Sequence, residues 1–169
     1  MTIRVLVADD QAMIRGALAG LLDLESDIEV VAQAADGAQA LEELARLASA
    51  DAPARASAPV DVAIVDVEMP RMDGITATQA IRSRFPGVRV LIVSTFGRPG
   101  YLQRALDAGA TGFMVKDAPV EALADGVRTV ASGGRAIDQS LALEALSTGS
   151  SPLTDREADV LREVEGGVP

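Results

Sequence analysis

The chain of 169 residues contains no cysteine, no histidine and no tryptophan, with three phenylalanines, one tyrosine and, in Lys116, a single lysine. Without cysteine there is no disulfide framework, no thiolate metal site and no thiol nucleophile. Without histidine, Ser-His and Cys-His catalysis are excluded. The scarcity of aromatics leaves an aliphatic core. No apolar run approaches the roughly 20 residues of a membrane span. The opening MTIRVLVADD reaches acids too early for a signal peptide, so a cytoplasmic protein without membrane insertion is the expectation. A net charge of −10 opposes nucleic acid, whose binding rests on cationic neutralisation of phosphates. Any action on DNA therefore needs a basic surface elsewhere.

What is present is an alternation of short β-branched runs and longer helical patterns, in a chain long enough for one core of roughly 100–150 residues and a fragment more. Strands are predicted at 3–8, 28–34, 60–65, 88–94 and 112–115. Helices are predicted at 11–25, 37–48, 75–85, 101–109 and 119–133. Five βα units in a row predict a parallel sheet with helices on both faces. The stretch 48–59, small and proline-punctuated, reads as a mobile surface insert. After residue 132 the pattern changes. Residues 133–152 read as a linker with a short helix at 138–146. Residues 153–169 open a new helix, with Thr154 and Glu157 at capping-box spacing, and the chain is expected to stop inside a second domain.

In an open parallel sheet, ligands bind at the carboxyl ends of the strands. Strand one ends at Asp9 and Asp10, strand three at Asp66, strand four at Ser94 and Thr95, and strand five at Lys116. If strands one and three are neighbours, three carboxylates converge and raise one another's pKa. A divalent cation resolves the repulsion; magnesium, with oxygen ligands and retained waters, suits one or two carboxylates plus a phosphate. Lysine contacts phosphate as a point charge, and a hydroxyl at Ser94 can donate to another phosphate oxygen. The set describes phosphoryl chemistry with Asp66 as nucleophile. Taken singly each residue has a plainer use. Asp10 could cap helix one, Asp66 could open a turn, the hydroxyls could satisfy loop backbone, and Lys116 could be a solvated charge.

The segments VLVADD, DVEMPRMDG, LIVST and GFMVKD, in this order over residues 3 to about 132, resemble the receiver domain of bacterial two-component response regulators. The tail LTDREADVLREVEGG resembles the first helix of the helix-turn-helix output domain of the NarL/LuxR-type subfamily, and TFGRPGYLQRALDAG is similar to the desaturase regulators of membrane-fluidity sensing. The resemblance implies a flavodoxin-like, doubly wound five-stranded sheet of order 2-1-3-4-5, with the receiver at 1–132. It implies phosphorylation of Asp66 by a sensor histidine kinase. Magnesium would be held by Asp10 and Asp66 directly, by Asp9 through water and by the backbone carbonyl of Glu68. Ser94 and Lys116, with Thr95, would hold the phosphoryl oxygens, and Phe113 would be the switch aromatic. Many receivers carry proline and a cis bond after the lysine. Here Asp117 follows, and a cis bond there costs about 2.5–4 kcal/mol.

The expected output is a homodimer through helices one and five, from Met13, Ile14, Ala17, Leu18, Leu21 and Leu22, with small Ala122 and Ala124 on helix five. DNA is expected to be bound only through the output domain that this chain lacks. Two rivals are a haloacid-dehalogenase-type phosphatase, which would want a second aspartate where Glu68 stands, and a receiver-like binding module that is never phosphorylated. A dinucleotide site is excluded because no G-x-G-x-x-G follows strand one.

Overall fold

The computed structural model describes residues 2–50, 58–95 and 99–137. The expected helices at 138–146 and 153–169 lie outside the described residues, as do positions 51–57 of the insert. The elements in chain order are β1 (Ile3–Ala8), α1 (Ala12–Asp23), β2 (Ile28–Ala34), α2 (Gly37–Ala50), β3 (Val62–Asp66), α3 (Gly74–Arg84), β4 (Arg89–Ser94), α4 (Pro99–Ala108), β5 (Gly112–Val115), α5 (Val120–Ala131) and β6 (Ala136–Ile137). All strand pairs are parallel, in the order β2-β1-β3-β4-β5-β6. The expected order 2-1-3-4-5 is present, and a sixth strand extends it. β6 pairs Ala136 with Gly112 and Ile137 with Phe113, so the sheet runs into the stretch read as linker. Helix α2 continues to Ala50, two residues past its expected end.

The inner strands β1, β3 and β4 are short apolar runs largely buried on both faces, as a doubly covered parallel sheet requires. Side chains alternate between two cores. Val5, Val7, Ile64 and Val93 pack with Leu22 of α1 and with Leu123 and Val127 of α5. Leu6, Ala63, Val65 and Ile92 pack with Leu44 of α2, Ile81 of α3 and Ala105 of α4. Phe113, fully buried, belongs to this second core. Of the α1 residues expected to be apolar surface, Leu22 is buried in the core, whereas Met13 and Leu21 are exposed. Ala124, expected on an open flank of α5, is fully buried; its helical phase matches that of Leu123 and Val127, and only Ala122 is half-buried. The bond between Lys116 and Asp117 is trans.

The loop after β3 is built by close approach. The Gly74 N–H donates to the Val67 carbonyl at 2.8 Å, and a Cβ at Gly74 would lie 2.1 Å from the Asp66 carbonyl oxygen. Asp73 then caps α3 by accepting from the Thr76 N–H at 2.7 Å. No side chain fits at position 74 without displacing the backbone of Asp66. At Gly20, mid-helix in α1, nothing lies within 4 Å of an added Cβ. Gly74→Ala is therefore expected to lower stability by about 1–3 kcal/mol. Gly20→Ala should raise it by about 0.5–1 kcal/mol. Urea unfolding of both variants checks the contrast.

Candidate functional site

Three strands deliver the charged groups to one edge. Asp9 and Asp10 follow β1 directly, Asp66 ends β3, and Lys116 follows β5. Asp9 and Asp66 are buried while Asp10 is exposed. One carboxylate oxygen from each of Asp9, Asp10 and Asp66 lies within 4.8 Å of the others. The Lys116 ammonium is 2.8 Å from Asp9 Oδ2 and 3.3 Å from Asp66 Oδ2. Beyond that ammonium, Asp9 Oδ2 has no donor among the described residues. Asp9 Oδ1 accepts from the Gln11 N–H at 2.8 Å, and the Asp9 carbonyl accepts from Arg15 Nη1 at 2.7 Å. The Lys116 N–H donates to the Ser94 carbonyl at 2.8 Å, which sets where the lysine leaves the sheet.

The electrostatics follow from burial. Desolvation pushes the Asp66 carboxyl up to about 6; Lys116 opposes this, and the charges of Asp9 and Asp10 add to it. Desolvation works against the Lys116 ammonium, but its bonds to Asp9 and Asp66 hold it above the usual lysine value. Three carboxylates facing one ammonium leave an excess of two negative charges. The donors are all hard oxygens, so the residues present fit a divalent cation of the magnesium type.

The other expected residues take their places around these. Asp66 pairs in register with Val93, and Ser94, the next residue, is buried at the same edge. Thr95 is exposed on the following loop. Glu68 is exposed on the loop after β3. An open cleft of about 480 Å³ runs from Asp10 past that loop to α4 and is lined by Glu68, Met69, Asp73, Tyr101 and Arg104. The Arg104 guanidinium lies 5.5 Å from the Tyr101 ring centroid.

Sequence reasoning missed the α4 side of the cleft and a second buried acid. Asp36 follows the carboxyl end of β2, and the rule that found Asp9, Asp66 and Lys116 would have found it too. It is buried and bound by Arg71 of the β3–α3 loop. The Gln39 N–H, helped by Arg71 and opposed by burial, holds its carboxyl below the usual range. Nothing in the sequence signals Arg71 as its partner.

Residues 5–128 match the model of the response regulator receiver domain, and the chain belongs to that family. Its relatives are transcriptional regulators of the NarL/LuxR type. The chain is 39% identical over 165 residues to the transcriptional regulatory protein DesR of Bacillus subtilis, covering 98% of this chain and 76% of DesR. It is similar to the signal receiver domain of a NarL response regulator from Mycobacterium tuberculosis, with 35% identity, a TM-score of 0.68, and coverage of 78% of this chain and 98% of that one. It is also similar to a LuxR-family response regulator from Aurantimonas sp. SI85-9A1, with a TM-score of 0.77 and 26% identity over 89% of this chain and all of that one. No described helix is long and apolar enough to cross a membrane.

The strained carboxylate gives a stability test. The folded Asp66 titrates near 6 and its unfolded counterpart near 3.8. Between those values the unfolded chain has released the proton that the folded chain keeps, so rising pH favours unfolding, and above 6 the penalty is complete. Metal-free Asp66→Asn is expected to be more stable than the native chain by about 1–3 kcal/mol at pH 8. The gap should shrink steadily from pH 6 to pH 4. Thermal unfolding in EDTA across this range checks it; a gap independent of pH would refute the assignment.

Proposed function

We propose that this receiver accepts a phosphoryl group on Asp66 from a sensor histidine kinase and uses it to control a DNA-binding output that regulates transcription. The observation that carries this reading is the convergence of Asp9, Asp10 and Asp66 around the Lys116 ammonium. Asp10 and Asp66 would hold magnesium directly, Asp9 through water, and Glu68 by its backbone carbonyl. When bound, the ion would neutralise the excess charge of the acids and draw electron density from the phosphoryl oxygens. A carboxyl titrating near 6 is ionised at neutral pH, as a nucleophile must be. Its Oδ bonds to phosphorus as the donor's phosphorus–nitrogen bond breaks, and the electron pair leaves with the histidine nitrogen. Lys116 and the hydroxyl of Ser94, with Thr95, take the phosphoryl oxygens by charge-assisted hydrogen bonds.

The added phosphoryl carries about −1.5 to −2 charge beside Ser94 and Lys116. Drawing the Ser94 hydroxyl toward it opens space for the Phe113 ring, which the second core now encloses. Reversing a switch from 1:99 to 99:1 needs about 5.5 kcal/mol of differential stabilisation. The reading as a phosphatase lacks an aspartate at the Glu68 position. The reading as an unphosphorylated module leaves the charge excess without a use.

The dimer surface centres on α1. Met13 and Leu24 are 89% and 79% exposed, which is unusual for side chains of this size, and Leu21 and Ala17 share the exposed region. Gly16 and Gly20 allow close backbone approach, since nothing lies within 4 Å of a Cβ at either. Arg128 of α5 ties down the turn that follows α1, with Nε 2.8 Å from Asp27 Oδ2 and Nη2 2.6 Å from Glu25 Oε1. The two helices therefore present one preassembled face for a second copy.

Acetyl phosphate with magnesium should add about 80 Da, one phosphoryl group, to the native chain and nothing to Asp66→Asn. Intact mass spectrometry reads this, and equal labelling of the two would remove Asp66 as acceptor. In sedimentation, phosphorylation should shift the native chain from monomer toward dimer. Met13→Glu combined with Leu24→Arg should hold the chain monomeric while leaving the mass gain intact.

A further inference from the structure

We propose that Arg71 and Asp36 are a positioning pair for the phosphoacceptor site, a latch that aims the Glu68 carbonyl by fixing the middle of the β3–α3 loop. The inference rests on the reading of Asp66 and Glu68 given above. Asp36, 2% exposed, stands at the start of α2. Its Oδ1 accepts the Gln39 N–H at 2.8 Å, and Gln39 Oε1 in return accepts the Ala35 N–H at 2.6 Å. Its Oδ2 is thereby left to Arg71, which donates to it from Nε at 2.8 Å and from Nη2 as well. A second bond runs alongside, from the Gly37 N–H to the Met72 carbonyl at 3.2 Å. A Cβ at Gly37 would stand 2.8 Å from that carbonyl, so the two segments touch at backbone level.

The backbone at Arg71 is the reason to look beyond scaffolding. Its φ is +65°, the sole positive value on a non-glycine residue among the described residues. The Met72 N–H donates to the Pro70 carbonyl at 2.6 Å across it, closing a three-residue turn of the strained hand. Glycine would adopt this conformation without penalty. An arginine persists in it only where the surrounding structure holds it there, and here the pair with Asp36 is part of that hold; strain of this kind gathers at functional sites. The loop's two ends are already tied, since Val67 and Gly74 bond each other at 2.8 Å. The latch fixes the span between, three residues from Glu68. Glu68 would supply the one uncharged ligand that comes from the protein itself. Magnesium demands near-ideal octahedral geometry, so a misdirected carbonyl costs affinity rather than folding.

Three substitutions separate positioning from support. Arg71→Gly keeps the backbone conformation and removes the guanidinium. Asp36→Asn keeps the α2 cap and removes the charge. Arg71→Lys restores a charge without the two-pronged donor. The readouts are the magnesium concentration giving half-maximal labelling by acetyl phosphate, magnesium affinity by calorimetry, and thermal midpoint. Arg71→Gly and Asp36→Asn should each raise the magnesium requirement about 10-fold or more, with labelling recovered at saturating magnesium. The double variant should be no worse than either alone, and Arg71→Lys should fall between. An unchanged magnesium requirement in Arg71→Gly, whatever its thermal midpoint, overturns the inference while a normally labelled native chain leaves the phosphoacceptor reading standing. A native chain that takes no phosphoryl group overturns both.

Discussion

The ammonium of Lys116 stands between two buried carboxylates, Asp9 and Asp66, with a third acid at the rim, and the chemistry of the site depends on this imbalance. A buried pair of opposite charges can offset its own desolvation; a buried excess cannot. Lys116 keeps the fold tolerable, and its removal would leave two acids uncompensated. The remaining negative charge is an unmet demand for cations. The sheet order creates the arrangement, because β1 and β3 are neighbours and β5 lies just across β4.

The backbone beneath the acids is fixed even though their charges are frustrated. Asp9 is pinned on both sides, by the Gln11 N–H on its carboxylate and by Arg15 on its carbonyl. Asp66 has its own carbonyl pressed against Gly74. The backbone thus keeps the buried Asp9 and Asp66 close together, where a cation could relieve their repulsion. Helix α1 begins two residues after Asp10 and carries the exposed Met13 and Leu21, with the exposed Leu24 as its C-cap. The acidic edge and the exposed apolar side chains thus adjoin along the chain.

Much of this was legible in the sequence because period and position carry it. Apolar β-branched runs separated by helical patterns give the alternation, and each gives its carboxyl end, where the acids, hydroxyls and lysine all fall. The parts that were not legible have physical reasons. Two residues, Ala136 and Ile137, are too few to show a period, so β6 is invisible until β5 offers them an edge. Ala124 was misplaced because alanine reads equally well as surface or core; only the phase set by Leu123 and Val127 decides it. The union of Arg71 with Asp36 spans 35 positions and depends on a left-handed residue that nothing in the local sequence demands.

The two-residue strand β6 also bears on where this unit can be cut. β5 has four residues and would otherwise be the border of the sheet, offering a row of unpaired amides and carbonyls. Ala136 and Ile137 occupy that row opposite Gly112 and Phe113. A fragment trimmed at residue 132, where the helical pattern ends, would uncover it and present foreign chains with a template for strand addition. A fragment carried through Ile137 keeps the first half of that row covered, and is the better-behaved of the two pieces to expect in solution.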